Sequence, residues 1–248
     1  MFKFYEVGGC VRDEILGLQS KDIDYVAVPS DELLTDVSSA HTMFNILSRF
    51  LKEEGFEIFL ETPDCFTIRA RFPQTHKYSG VADFVMARKE VGYIDGTRTP
   101  IIQPGTLYDD LARRDFTLNA LAKDEDGKII DYFDGMWALE AKMLITPLPP
   151  EETFLDDPLR MLRALRFSIT KGFIIAPVVW SAMFIPGLIT KLEKVVSGER
   201  IREEVMKMMI FDTVKTMRLF AEIDKIEPRF TEVVFGKEMW LKPTFEKK

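Results

Sequence analysis

The chain has 248 residues, 46% of them hydrophobic and 12% aromatic, enough to bury one substantial core or two small ones, which excludes a disordered or fibrous protein. A formal charge of −7 argues against a protein that coats nucleic acid non-specifically, because that affinity comes from many Lys and Arg neutralising phosphates. Cys10 and Cys65 stand far apart and His41 and His76 are the only histidines, which argues against a disulfide framework, a zinc site or a histidine triad and leaves any catalysis to carboxylates.

The N-terminus, MFKFYEVGGC, has no charged segment followed by an apolar one, so no signal peptide is expected and the setting reads as reducing and cytoplasmic. Short β-type runs at Phe4 to Val7, Ile23 to Val28, Phe56 to Leu60, Cys65 to Phe72 and Val81 to Ala87 predict strands. Helical patterns cover Asp13 to Leu18 and Met43 to Glu54, and Asp126-Gly127 marks a turn between Leu121-Ala122 and Ile129-Ile130. Near residue 135 the character changes. Helical periodicity takes over in Met136 to Leu144, Leu159 to Ser168, Val178 to Phe184 and Ile201 to Phe211, with Pro-rich joints at residues 147–150 and 186–187. The uncharged run from Gly172 to Thr190 is long enough to raise a membrane span, but Pro177 and Pro186 interrupt it, so a buried helical pair is the better reading and no membrane is expected. The last 30 or so residues read as short helix and loop. The fold class is α+β: a mixed β-sheet with flanking helices over 1–134, an all-α part over 135–212 and a short remainder over 213–248.

Three acids and a glycine bend carry the chemistry. Val7-Gly8-Gly9-Cys10-Val11-Arg12-Asp13 runs from a strand through two glycines into a helix, where backbone can approach an anion closely and Arg12 can donate to phosphate in bidentate fashion. A Gly-Gly turn before a helix is also a common structural element. In Asp22-Ile23-Asp24 the period of a strand puts both carboxylates on one face, Cα atoms roughly 6.5 Å apart. Facing acids repel unless neutralised, and a hard dication such as Mg²⁺ prefers such oxygen ligands. The plain alternative is a solvent-facing strand surface. Asp83 sits alone among apolar residues of another strand, where propensity disfavours it; it is either the third acid of a two-metal site or a partner for Arg88 or Lys89.

With Gly8-Gly9-Cys10-Val11-Arg12-Asp13 followed by Asp22-Ile23-Asp24, the chain resembles the class II CCA-adding tRNA nucleotidyltransferases and the related bacterial poly(A) polymerases. Arg113-Arg114-Asp115-Phe116-Thr117-Leu118-Asn119-Ala120-Leu121-Ala122 is similar to the family's ribose-recognising segment, and Ile130-Asp131-Tyr132-Phe133-Asp134-Gly135 to its hinge between head and neck. Asp156-Asp157-Pro158-Leu159-Arg160-Met161-Leu162-Arg163-Ala164-Leu165-Arg166-Phe167 resembles the nucleotide-selecting helix, and Ser197-Gly198-Glu199-Arg200-Ile201-Arg202-Glu203-Glu204 the neck motif after it. The resemblance implies a nucleotidyltransferase head, a helical neck and a short remnant of the body domain. It implies that Asp22 and Asp24 hold two Mg²⁺ ions and Asp83 helps activate the primer 3′-OH. Gly8, Gly9 and Arg12 would meet the triphosphate, with Arg114, Asp115 and Asn119 near ribose and phosphates. Asp157 and Arg160 would read the base of CTP or ATP, and Arg163 would support them.

From spacing alone, Asp157 before Pro158 also reads as a helix cap, and Glu199-Arg200 as a surface ion pair. Where the family usually has Glu-Asp, this chain has Asp156-Asp157, and little sequence follows the neck to hold a tRNA. The expected activity is CCA addition to tRNA or another RNA 3′ end, with an oligomer or partner protein as a source of further RNA-holding surface. A poly(A) polymerase, an enzyme adding only CC or only A, and an inactive RNA- or nucleotide-binding regulator are the alternatives.

Overall fold

A computed structural model describes residues 1–20, 23–36, 39–94 and 100–236. The fold is α+β, and its contacts group into two compact units, one of residues 1–93 with 100–140 and one containing the described residues from Ala141 onward.

In the first unit β1 (Phe2–Val7) leads through Gly8 into α1 (Gly9–Ile15), and β2 (Ile23–Pro29) follows. Gly8 has φ 76° and ψ −132°, turning the chain within one residue, so the helix starts four residues before the expected Asp13. After α2 (Asp31–Asp36) and α3 (Ala40–Glu53) come β3 (Glu57–Thr62), β4 (Thr67–Arg71) and β5 (Val81–Met86). A 3-10 turn at Pro63–Cys65, closed by Phe66 in the left-handed region, delays β4 beyond its expected start at Cys65. A hairpin of β6 (Arg88–Tyr93) and β7 (Pro100–Pro104) was not legible, since Arg88, Lys89 and Glu90 mask its alternation. The unit ends with α4 (Leu107–Ala112), β8 (Leu121–Lys123), β9 (Ile129–Asp131) and α5 (Gly135–Glu140). The turn between β8 and β9 falls where expected, with Gly127 at φ 81°.

A seven-stranded sheet runs in the order β3-β4-β5-β2-β1-β8-β9. Its central pair, β2 and β5, is parallel, and the other pairs are antiparallel. Period two splits each strand between faces. On one face Ala27, Ala82, Phe84 and Met86 pack with Met43, Phe44, Leu47 and Leu51 of α3. On the other, Val7, Val26 and Ala122 pack with Leu107 and Leu111 of α4, and Asp24 and Asp83 belong to this second face.

The second unit opens with β10 (Met143–Leu144), which pairs in parallel with β11 (Ile174–Ile175) on the far side of α6 (Pro150–Asp156) and α7 (Leu159–Thr170). Of the Pro-rich stretch expected as a joint, residues 147–149 form the connection and Pro150 opens α6, because proline lacks only a donor that the first turn leaves unused. The run from Gly172 to Thr190 resolves into β11 and two proline-led helices, α8 (Pro177–Ala182) and α9 (Pro186–Val195). Among the described residues no helix is long and apolar enough to cross a membrane. Then follow α10 (Gly198–Phe211), α11 (Thr213–Ile226) and α12 (Pro228–Val234). The short helix expected near the end is met by α12, with α11 reaching into the start of that span, and the rest of the expectation, residues 237–248, lies outside the described residues: Asp212 caps α11 by accepting from the Lys215 N–H, Pro228 leads α12, and Phe220, Ile223, Phe230 and Val234 are buried.

Candidate active site

Two carboxylates meet at the centre of the sheet. Asp24 of β2 lies directly opposite Asp83 of β5 in a parallel register, which points both to the same face. Asp22 lies outside the described residues. The partner of Asp83 is neither Arg88 nor Lys89 but Arg69, its cross-strand neighbour on β4, whose Nε and Nη2 donate to the two carboxylate oxygens at 2.8 and 3.0 Å. Arg88 instead donates to the Cys65 carbonyl and to Glu90. Cross-strand register decides this pairing, and single-strand spacing does not reveal it. Among the described residues no group of three or more His, Cys, Asp and Glu could hold a metal by itself. The oxygen-only pair Asp24 and Asp83 nevertheless suits a hard dication.

The glycine bend lies against Asp24. A Cβ on Gly8 would stand 2.6 Å from Arg114 Nη1, so the absent side chain is what lets that guanidinium approach the backbone, and Asp24 Oδ2 lies at an ordinary contact distance of 3.8 Å from the same point. At Gly9 an added Cβ would meet Arg12 Nη2 at 3.6 Å, an ordinary contact. Arg12 itself is buried: Nη1 donates to Asn119 Oδ1 at 2.5 Å, and Nε to Asp13 at 2.9 Å. Asn119 Nδ2 donates to Asp115 Oδ1 at 2.8 Å, and the same oxygen accepts the Phe116 N–H. Both polar ends of Asn119 are therefore engaged inside the protein, which makes it a brace for Arg12.

Sequence reasoning missed Asp110. This fully buried carboxylate of α4 accepts from Arg113 Nη2 at 2.5 Å and from Arg114 Nη2 at 3.1 Å. Burial opposes its charge, but the two guanidinium groups hold it below the usual carboxylate range. Its signal was present as an acid three and four residues before two arginines on one helical turn. Cys10 is a poor nucleophile: burial pushes its thiol up, and its Sγ donates to the Val7 carbonyl. A cavity of about 320 Å³ lined by Phe4, Tyr25, Phe56 and Phe84 belongs to the α3 face, away from Asp24 and Asp83.

In the second unit Asp157 closes α6, and its Oδ1 accepts from the Leu159 N–H at 3.2 Å, a cap-type bond. Its Oδ2 lies 3.5 Å from Arg200 Nη2, so Arg200 pairs with Asp157 rather than with Glu199. Arg160 Nη1 donates to the Thr153 carbonyl at 3.1 Å, and Arg163 stacks over Phe167 with 5.9 Å to the ring centroid.

Residues 4–145 match the family described as the poly A polymerase head domain. The chain is 36% identical over 217 residues to a tRNA nucleotidyltransferase of Schizosaccharomyces pombe, covering 82% of this chain and 42% of that one. To a CCA-adding enzyme of Limosilactobacillus fermentum it is 34% identical over 215 residues, covering 86% and 48%. Among solved structures, the Bacillus stearothermophilus CCA-adding enzyme in complex with CTP aligns with TM-score 0.66 at 27% identity, over 89% of this chain and 48% of that one. The chain thus spans less than half the length of each of these three relatives. On the match to more than half of its length, this chain belongs to the poly A polymerase head-domain family.

Proposed function

We propose that this chain is a cytoplasmic, template-independent RNA 3′-end nucleotidyltransferase that adds CCA to tRNA from CTP and ATP. The observation that carries the reading is the in-register pair Asp24 and Asp83 beside the Gly8 bend, where Arg114 closes on the backbone. The names of the relatives point the same way.

The oxygen of the primer 3′-OH attacks the α-phosphorus, the bond from that phosphorus to the bridging oxygen breaks, and pyrophosphate leaves. Asp83 takes the hydroxyl proton, from the face that the strand register makes it share with Asp24. Two Mg²⁺ ions, held by Asp22 and Asp24 with Asp83 beside them, would supply a lowered pKa at the attacking hydroxyl and charge neutralisation at the leaving pyrophosphate. Arg114 and the Gly8 backbone hold the triphosphate, and Arg12, fixed by Asn119 and Asp13, stiffens that cradle. In the second unit Asp157 and Arg160 read the edge of the incoming base, with Asp157 steadied by Arg200 and Arg163 supporting the helix.

The test supplies purified protein and Mg²⁺ with tRNA lacking its terminal CCA, and CTP and ATP separately and together. Addition of two residues with CTP and three with both is the expected result. A long ladder from ATP alone would reassign the protein as a poly(A) polymerase, and no incorporation on any RNA primer would overturn the proposal.

A further inference from the structure

We propose that Asp110 is the positioning residue of the nucleotide site: by clamping two consecutive guanidinium groups it aims Arg114 at the Gly8 bend and turns Arg113 away from it. The inference rests on the reading that Arg114 meets the triphosphate.

Asp110 is the only acid bonded to Arg114 among the described residues, and each of its oxygens serves a different arginine. Oδ1 takes Arg113, through Nε at 3.1 Å and Nη2 at 2.5 Å. Oδ2 takes Nη2 of Arg114 at 3.1 Å. One carboxylate thereby separates two neighbours that would otherwise repel. Arg113 continues outward to Glu90 of β6, 3.8 Å away, and Glu90 in turn meets Arg88, so this branch ends in the β6–β7 hairpin. Arg114 continues inward, with Nη1 against Gly8 and within a long 3.5 Å of the Asn119 carbonyl.

The hydrogen-bond inventory of Arg114 leaves it donors to offer an anion. Its Nε is buried without a partner and Nη1 has only the long contact, so Asp110 supplies its one close bond. A guanidinium tethered at one nitrogen and underused at the others is preorganised for an acceptor such as phosphate. Burial of the carboxylate makes the tether strong: a charge-assisted bond to a fully buried acceptor fixes direction as well as affinity. The same helix turn brings Asp110 within reach of both arginines, at the spacings of three and four residues.

The experiment is a double-mutant cycle read by calorimetric binding of inorganic tripolyphosphate, which needs no turnover, with circular dichroism confirming the fold. Asp110→Asn and Arg114→Gln should each weaken binding about tenfold or more, as expected for one charged hydrogen bond. The double variant should bind no more weakly than Arg114→Gln alone, because Asp110 acts through Arg114. A carboxylate that merely stabilised α4 would give independent, multiplying losses, and that outcome overturns the inference. Arg113→Gln should stay within about twofold of the wild type, since this side chain turns toward the hairpin. Should Asp110→Asn fail to fold, equal losses in Arg113→Gln and Arg114→Gln would overturn the inference, and loss in Arg114→Gln alone would support it. Wild-type protein that binds tripolyphosphate but adds no nucleotide defeats the proposed reaction and leaves the role of Asp110 standing. No binding by the wild type defeats both.

Discussion

The two faces of the central sheet are built by the same strands and do opposite work. Toward α3, Tyr25 stacks on Phe84 with centroids 5.1 Å apart, and Phe56 meets the same Phe84 ring edge-on at 5.0 Å. One residue along each strand, Asp24 and Asp83 face the other way, among arginines and glycine. Strand alternation thus isolates an expensive cluster of charge from the packing that stabilises it, without adding a separate domain. The lesson is that stability and chemistry here should be separable by mutation one residue apart.

The sharpest test pairs neighbours. Asp24→Asn removes the carboxylate proposed to hold metal on the polar face, and on that proposal nucleotide addition should fall about 10³-fold, as for loss of a central electrostatic group. Its unfolding free energy should change by no more than about 1 kcal/mol, because the side chain makes no core contact of the α3 face. Single-turnover primer extension and urea titration read the two quantities. Phe84→Ala should do the reverse, costing about 3–5 kcal/mol of stability while the folded fraction keeps its tripolyphosphate affinity. A loss of stability in Asp24→Asn as large as that of Phe84→Ala would erase the distinction between the faces.

Much of this separation was legible before any coordinates. The alternation in Ile23-Asp24-Tyr25 assigns Asp24 to the face opposite Tyr25, and the lone Asp83 amid apolar residues needed a reason. What stayed hidden depends on register between strands. Nothing local to Asp83 reveals that β4 brings Arg69 alongside, and the charged start of β6 conceals a hairpin whose strands, among the described residues, form a two-stranded sheet of their own. Asp110 was hidden for a different reason: an acid before two arginines on a helix reads as a solvated surface, and only burial turns it into a clamp. Helix α1 started early because one glycine with positive φ replaces the turn that other residues would need.

Gly8 joins the two halves of the comparison, since its backbone belongs to the fold and its missing side chain to the site. Gly8→Ala should cost about 1–3 kcal/mol, because φ 76° with ψ −132° is strained for any L residue. The added methyl also displaces Arg114 Nη1, which would sit 2.6 Å away, so tripolyphosphate affinity should fall along with stability. Calorimetry beside urea titration would show both losses in one variant. Retained affinity would mean that Arg114 adjusts without cost and that the close approach is incidental.

The smallest expected effect concerns Arg69. Its two bonds to Asp83 have good geometry, yet the side chains are 45% and 28% exposed, so solvent screens the pair and Arg69→Gln should change stability by less than about 1 kcal/mol. Its influence on the site has the opposite sign. While Arg69 neutralises Asp83, the carboxylate pair presents less charge to a dication; freeing Asp83 should strengthen Mg²⁺ binding by a comparable fraction of a kcal/mol, about threefold in half-saturation. Primer extension measured across Mg²⁺ concentrations reads that midpoint directly. A midpoint shifted upward would show that Arg69 aligns Asp83 for the metal instead of competing with it, and the polar face would then be a site assembled by its own ion pair.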